Sequence, residues 1–281
     1  MVGFESSVAF RFFALTAVAV TFAAAVPAGA QTDYYNADRN RPVRIEDAYT
    51  VERHAFELKV APLRLERGAG GVYHWGFDPE IAYGILPRTS IEVAVPFAIV
   101  DAGGTIGRRQ GIAGVALSAF HNLNTETRTV PALGLRADLL LPVGSLAADR
   151  AHPSVSAIAT RTFQWARVHV NGQYTGGRAP AASAPGGEEA GEGVSRWLAG
   201  AAVDRAFPLH AALVIADLYA AQPLHGGDVE WNAGGGVRYQ VSPSLAVDVG
   251  AGRRLTGDNA WYVTFGSSWM FVVRRLIPIS R

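Results

Sequence analysis

Cysteine is absent from the 281 residues, and lysine occurs only once, as Lys59. A chain without cysteine can form no disulfide and no thiolate metal site. Charged residues make up 17 % of the chain, and the formal net charge is +1. Because this charge is small and the arginines are scattered, the chain offers no basic surface that would attract nucleic acid. We therefore predict no nucleic-acid partner.

Long apolar runs are also absent, except at the N-terminus. Arg11 precedes an apolar stretch that ends in the small-x-small sequence AGA at residues 28–30, and these are the parts of a cleavable secretory signal peptide. We assign residues 1–30 to this signal peptide and residues 31–50 to a periplasmic N-terminal segment. An uncleaved membrane anchor is the alternative, but no basic stop-transfer flank follows the run.

No later stretch reaches the roughly 18 apolar residues of a membrane helix, which leaves a β-barrel as the way for this exported chain to cross a membrane. From residue 51 to residue 273, apolar and polar residues alternate with a period of two, as in β-strands. In PALGLRADLLLPVG, residues 131–144, most leucines share one parity, whereas Arg136 and Asp138 share the other. The twelve predicted strands cover residues 52–66, 72–84, 90–100, 111–122, 128–142, 153–162, 166–175, 194–205, 209–221, 229–240, 244–254 and 260–272.

Two features favour a membrane barrel over a soluble β-sandwich, which would alternate in the same way. Aromatic residues cluster near strand ends, where the aromatic girdles of membrane barrels lie. Tight turns also alternate with longer glycine-rich loops, as in barrels with short periplasmic turns. We predict an all-β fold, a single antiparallel transmembrane β-barrel of about 12 strands over residues 51–273, in the outer membrane of a Gram-negative bacterium. Residues 274–281 form a C-terminal tail.

Two strands depart from simple alternation. The first strand changes parity at Ala61-Pro62, where we predict a β-bulge. The ninth strand, residues 209–221, carries apolar residues on both parities, so the pattern does not decide which of them face inward.

Charged residues of both signs fall on the predicted inward face of the barrel. Arg136 and Asp138 belong to this face because a charge that faces lipid at mid-depth would cost about 2–4 kcal/mol. Two interpretations stay open: a polar pore whose charges select solutes, or an ion-pair network that fills a narrow barrel without conducting. The predicted lumen-lining residues are Glu57, Lys59, Asp78, Glu80, Arg136, Asp138, Arg167, Arg196, Asp204, Glu230, Arg238 and Asp248.

Signatures of the common enzyme and metal sites are missing. The seven histidines show neither HxxxH nor HxH spacing, which disfavours a dedicated metal site. Neither a GxSxG elbow nor a P-loop occurs. A serine–histidine pair assembled across strands, with His121 or His169, stays open and would make the protein an outer-membrane hydrolase. We predict no catalytic residue, no cofactor and no metal ligand.

Four strand-turn-strand stretches carry a family resemblance: AYTVERHAFEL, PEIAYGILPRTSIEVAVPF, GVALSAFHNLNTETRTVPALGLRADLLLPVG and GVRYQVSPSLAVDVGAGRRLTGD. Together they resemble the outer-membrane transporter family named for the meta-cleavage pathway of phenol degradation, over residues 45–271. The resemblance implies an outer-membrane barrel that admits small molecules, including hydrophobic or aromatic ones. It supplies no ligand residues to carry over.

These observations predict a channel for passive or facilitated diffusion of small solutes, with outer-membrane lipid around it. Besides the hydrolase, the alternative is a closed structural or adhesive barrel that acts through external loops, above all residues 176–193. Residues 32–53 are too short for a plug domain, which argues against an energy-coupled receptor. The oligomeric state stays open.

Overall fold

A computed structural model of the protein describes residues 35–60, 63–68, 72–101, 108–178, 194–257 and 260–273. The predicted signal peptide, the C-terminal tail and most of the loop 176–193 therefore lie outside the described residues. Among the described residues, no helix is long and apolar enough to span a membrane. The strand segments are β1 (Ala55–Lys59), β2 (Leu63–Arg67), β3 (Tyr73–Phe77), β4 (Glu80–Leu86), β5 (Thr89–Ala94), β6 (Phe97–Asp101), β7 (Arg108–Ile112), β8 (Val115–Asn124), β9 (Ala132–Leu141), β10 (His152–Thr162), β11 (Arg167–Thr175), β12 (Ser195–Phe207), β13 (Ala212–Pro223), β14 (Glu230–Ser242), β15 (Leu245–Arg254) and β16 (Trp261–Val272).

The sixteen segments form one closed antiparallel sheet. Segments β1 and β2, β3 and β4, β5 and β6, and β7 and β8 continue one another across short breaks, so each pair is one barrel strand. The last segment, β16, pairs with both β1 and β2, which closes the sheet. The predicted antiparallel barrel of twelve strands is thereby confirmed.

The first barrel strand changes register at its break. Lys59 lies opposite Ser268, whereas Leu63 lies opposite Phe265. Between these two pairs the first strand advances four positions and the last strand three, and one extra residue is the count of a β-bulge. Ala61 and Pro62, where the bulge was predicted, lie outside the described residues.

Apolar side chains point outward and polar side chains point inward. In β9, Leu135 is 51 % exposed and the neighbouring Arg136 only 5 %. The outer surface is suited to lipid chains, as in membrane barrels. Its exposed hydrophobic residues include Ile91, Val93, Leu117, Val155, Val170, Val203, Val214, Leu218, Val237, Val247, Val249 and Phe265.

Residues 35–50, here called the lumenal segment, lie inside the barrel. Arg39 contacts Asp138 on β9, and Arg41 contacts Ser268 on β16. The backbone N–H of Arg44 donates to Asp217 on β13. Because these strands lie on different sides of a closed barrel, the segment fills the space between them. We expected residues 31–50 in the periplasm, and the structure instead places their described part in the lumen.

The lumenal segment folds back on itself. The N–H of Asp47 donates to the carbonyl of Ala37 at 2.9 Å, and the N–H of Ala37 donates to the Asp47 carboxylate at 2.9 Å. Both ends of the segment lie near Arg167, which donates to the carbonyl of Tyr35 and lies 3.9 Å from Asp47. Arg167 begins β11, just after a short turn. The segment is therefore a loop inserted from the rim that carries the short turns.

Candidate functional site

Apolar contacts seat the lumenal segment against β12 and β13. Val43 and Ile45 are 1 % and 0 % exposed, and they cluster with Ile215 and Tyr219 on the inward face of β13. The ninth barrel strand is therefore apolar on both parities because one face meets the outside and the other meets this segment. A second cluster joins Ala48 to Phe120, Ala132 and Ile158.

Glycines in the barrel wall make room for the segment. A Cβ atom at Gly236 would lie 2.6 Å from the Cβ of Pro42, and one at Gly250 would lie 2.4 Å from the carbonyl oxygen of Pro42. Both distances are too short for any side chain at these positions. The glycine-rich inward face of β14 and β15 is thus shaped for close approach of the segment backbone.

A first ion-pair network centres on Arg136. Its guanidinium donates to Glu92 on β5, to Glu46 of the lumenal segment at 3.3 Å and to Asp138 at 3.0 Å. Arg39 adds two hydrogen bonds to the Asp138 carboxylate, at 2.9 and 3.1 Å. The network therefore ties the segment to β5 and β9 through two opposite charges, Arg39 and Glu46. Burial raises the pKa of Glu46 although Arg136 and Arg39 oppose it.

A second network centres on Asp38. Its carboxylate accepts from Arg41 at 2.6 Å and from Arg238, and it lies 3.4 Å from the ammonium of Lys59. Both arginines also donate to the hydroxyl of Ser268, at 2.8 and 2.9 Å. Burial alone would raise the pKa of Asp38, but the three cations around it outweigh burial and hold the pKa well below its usual range. Asp38 thus stays ionised and fixes the segment to β1 and β14.

A third contact is a hydrogen-bond relay from β11 to the segment backbone. His169 Nε2 lies 2.9 Å from Asp204 Oδ2, and His169 Nδ1 lies 2.9 Å from Thr160 Oγ1. Since a carboxylate only accepts, Nε2 of a neutral ring carries the proton, and Nδ1 accepts from the threonine hydroxyl. The free lone pair of Thr160 Oγ1 accepts from the N–H of Ala48 at 3.0 Å.

Further wall side chains bind the main chain of the segment. Asp217 accepts from the N–H of Arg44 at 2.8 Å and from that of Ile45 at 3.3 Å. Asn171 accepts from the N–H of Glu46 at 3.0 Å, and Asn122 donates to the carbonyl of Ala48 at 2.7 Å. The wall thereby replaces the hydrogen bonds that an irregular buried backbone would otherwise lack.

The predicted lumen-lining residues divide into those that meet the segment and those that do not. Glu57, Lys59, Arg136, Asp138, Arg167 and Arg238 lie within ion-pair distance of it, while Glu80 and Asp204 support Lys59 and Arg167. Asp78 lines the remaining cavity. Asp248 is 5 % exposed, and neither carboxylate oxygen has a hydrogen-bond partner among the described residues. Arg196 donates to the carbonyls of Thr175 and Gly177, and Glu230 pairs with Arg254 at 3.2 Å.

The other half of the site is not predicted by the sequence pattern. The wall residues Glu92, Asn122, Thr160 and Asp217 had no assigned role, and no residue of the lumenal segment was assigned to the lumen. Glu92 shares the inward parity of its strand with Ser90, so alternation could have found it. The contacts of the segment join residues far apart in the chain, and no local pattern signals them.

The two histidines considered for a hydrolase each meet a threonine. His121 Nδ1 lies 2.9 Å from Thr89 Oγ1 at an exposed site, and His169 meets Thr160 at a site that is fully buried. Among the described residues, no group of three or more His, Asp or Glu could hold a metal ion.

A cavity of about 230 Å³ stays beside the lumenal segment. Most of its lining residues are polar or charged, and apolar residues such as Phe120, Leu140 and Met270 complete the lining. A wider cleft of about 560 Å³ lies at the short-turn rim, between residues 49–53 of the chain and the turn at Pro87 and Arg88. The lining of the inner cavity includes Arg39, Arg44, Asp78, Ser118, Leu140, His152, Ser154, Gln173, Thr175 and Val194.

No family model and no curated protein sequence matches the chain. Solved structures do match. The COG4313 outer membrane channel from Pseudomonas putida F1 aligns with a TM-score of 0.54 and 13 % identity, over 80 % of this chain and 98 % of that one. The KdgM porin aligns with a TM-score of 0.50 and 11 % identity, over 76 % and 98 %. Outer membrane phospholipase A from Escherichia coli aligns with a TM-score of only 0.40 at 11 % identity, over 80 % and 94 %.

The chain therefore has the fold of bacterial outer-membrane β-barrels. At these identities the likeness shows the fold alone. The resemblance to the family named for phenol meta-cleavage stays a prediction.

Proposed function

We propose that the protein is an outer-membrane channel that admits small solutes by passive or facilitated diffusion. The observation that carries this proposal is a closed barrel whose inner wall is lined with charged side chains around a cavity of about 230 Å³. A polar interior inside an apolar outer surface is the arrangement of channel-forming membrane barrels. The two structures with the higher TM-scores are described as an outer membrane channel and a porin, which supports the same role.

The lining favours polar solutes. Arg39, Arg44, Asp78 and Asp138 border the cavity, and apolar side chains such as Leu140 complete its border. A hydrophobic or aromatic solute, as the family resemblance implies, would have to cross these charges without pairing them, which is costly in a narrow lumen. We therefore propose small polar solutes for the path through the lumen.

The lumenal segment governs how wide that path is. While residues 35–50 are docked, they occupy much of the lumen, and a cavity of about 230 Å³ stays beside them among the described residues. The segment is joined to the wall by ion pairs and hydrogen bonds, with no covalent link among its contacts, so it can leave without unfolding the barrel. We propose that undocking of this segment is the opening step.

We also propose that the protein is not an enzyme. The Thr160 hydroxyl is fully buried under Ala48. Asp204, which would orient His169 in a catalytic triad, is also bound by Arg167 at 2.6 and 2.9 Å, which lowers its ability to stabilise a charged histidine. Incubation of the folded protein with micellar phospholipid or a soluble ester should give no turnover, and turnover that Thr160→Val removes would contradict this.

Conductance across a planar bilayer tests the channel directly. The refolded protein should give discrete current steps. Arg136→Gln should shift the ion preference toward cations because it leaves Glu46, Glu92 and Asp138 without their shared partner. Arg150→Gln is the matched control, since Arg150 is exposed and, among the described residues, pairs with Asp149. Folding is checked by heat-modifiable migration on a gel, and a folded, inserted barrel without current would sink the proposal.

A further inference from the structure

Four neighbouring strands place a row of polar side chains on one level of the lumen wall. Ser118 on β8 lies opposite Asp138 on β9, Asp138 lies opposite Ser154 on β10, and Ser154 lies opposite Thr175 on β11. All four line the inner cavity, and so does His152 at the start of β10. The row lies toward the ends of the strands that carry the longer loops.

The two ends of this row differ in the hydrogen bonds that their side chains make. At the β9 end, the Asp138 carboxylate accepts from Ser118 at 2.6 Å, from Ser154 at 3.3 Å and from two arginines. At the β11 end, Thr175 Oγ1 has no hydrogen-bond partner among the described residues, and the His152 ring meets only the backbone of Gly176 there. Thr175 is 1 % exposed and His152 is 2 % exposed, so bulk solvent does not reach them freely. Buried polar groups are nearly always paired in native proteins.

The backbone around this end is fixed. Arg196 donates to the carbonyl of Thr175 at 2.9 Å and to that of Gly177 at 2.7 Å. Its guanidinium therefore faces the main chain and leaves the side chains of Thr175 and His152 to the cavity. Val194 and Ser195 complete the wall on the β12 side. Arg196 thus fixes the backbone on which Thr175 lies.

The unpaired groups define the chemistry of a ligand. The threonine hydroxyl supplies one donor and at least one acceptor, and the His152 ring nitrogen that does not face Gly176 supplies one further group, with no net charge. An alcohol group likewise donates and accepts, so two neighbouring alcohols match both side chains. A carboxylate would only accept and would lie near Asp138, while a cation would find that carboxylate already bound to Arg39 and Arg136.

We propose that the Thr175–His152 end of the cavity binds a neutral polyhydroxylated solute of the size of a monosaccharide or a sugar alcohol. The inference deepens the proposed function and rests on it, since it names the solute class of the same lumen. The cavity of about 230 Å³ has room for one such molecule beside the docked segment.

Saturation-transfer difference NMR on the full, folded protein tests this binding. The protein is held in a detergent without a sugar headgroup, and the probes are D-glucose, sorbitol and hexanoate. Glucose and sorbitol should give a transfer signal that falls about fivefold in Thr175→Val, the factor expected for one lost hydrogen bond. His152→Phe should lower it similarly. Thr264→Val is the matched control because its hydroxyl is also fully buried without a partner but lies outside the cavity lining.

The result that would overturn the inference is the absence of a sugar signal in the wild type, an equal signal in Thr175→Val, or a signal from hexanoate alone. Heat-modifiable migration on a gel verifies that each variant is folded. Because the measurement involves no current, the two proposals fail separately. A conducting barrel without a sugar signal overturns this inference, whereas a silent barrel that binds sugar overturns the channel.

Discussion

Asp138 accepts two hydrogen bonds from the guanidinium of Arg39, at 2.9 and 3.1 Å, although the two residues lie 99 positions apart in the chain. One belongs to the barrel wall and the other to the segment inside it. The same carboxylate also accepts from Arg136 on its own strand. The charged pair within an otherwise apolar strand is therefore half of a docking site, and the other half comes from the N-terminal segment.

Arg39→Ala should loosen the lumenal segment. Removal of one partner of a buried ion pair costs about 3–5 kcal/mol, which the 23 % exposure of the Arg39 side chain reduces to about 1–3 kcal/mol. Limited digestion with trypsin measures the effect, since the bond between Arg44 and Ile45 can be cut only when the segment leaves the lumen. Cleavage there should be faster than in the wild type, and Arg150→Ala should leave it unchanged. Equal cleavage in Arg39→Ala would contradict the docking role.

Thr160→Val should destabilise the protein through the lost relay. The N–H of Ala48 and Nδ1 of His169 would both lose their partner in a fully buried place, at a cost of about 1–3 kcal/mol. Thr89→Val removes the same threonine–histidine contact at an exposed site, and its effect should stay within about 0.5 kcal/mol. Denaturant unfolding of both variants measures the difference. Equal stabilities would show that the relay has no structural role.

Gly250→Ala should expel the segment by steric conflict. The added Cβ would lie 2.4 Å from the carbonyl oxygen of Pro42, which is backbone and cannot turn aside. Overpacking of this kind costs about 1–3 kcal/mol. Gly172→Ala is the control, because its Cβ would meet nothing within 4 Å. Trypsin should cut the segment faster in Gly250→Ala only, and protection equal to that of the control would refute the close approach.

Docking should resist mild acid. The pKa of Asp38 is lower in the docked state than its ordinary value near 3.8, so its contribution to docking is complete above about pH 4 and is lost only as the pH falls further. Burial raises the pKa of Glu46 and of Asp47 despite nearby arginines, so protonation of these two groups favours the docked state. An acid-stable protease or hydrogen exchange should find the segment protected from about pH 8 down to about pH 4.5. Undocking near pH 6 would contradict this assignment of charges.

Period-two alternation predicted the closed barrel because each strand side must suit either the outside or the lumen. It failed for the ninth strand, where Ile215 points inward but is apolar. That residue packs on Ile45 of the lumenal segment, so the inward face is not polar there. The strand is apolar on both faces because its inward face packs on the lumenal segment.

The occupancy of the lumen could not be predicted in the same way. Residues 35–50 have no strand or helix period, and each contact is a single charge or N–H that meets a distant strand. Asp217, for example, binds the N–H of Arg44 across 173 positions. Charges on both partners are visible in the sequence, but their pairing depends on the closed barrel that brings them together.

Single-channel conductance of the wild type and of Asp38→Asn combined with Arg39→Gln tests the central claim, that residues 35–50 close a conducting lumen. Asp38→Asn keeps the side-chain shape, Arg39→Gln shortens the side chain and removes its charge, and neither changes a wall residue. The variant should open more often or in larger steps than the wild type, with the segment accessible to trypsin at Arg44. Conductance equal to that of the wild type, in a folded variant whose segment trypsin removes, would contradict the account.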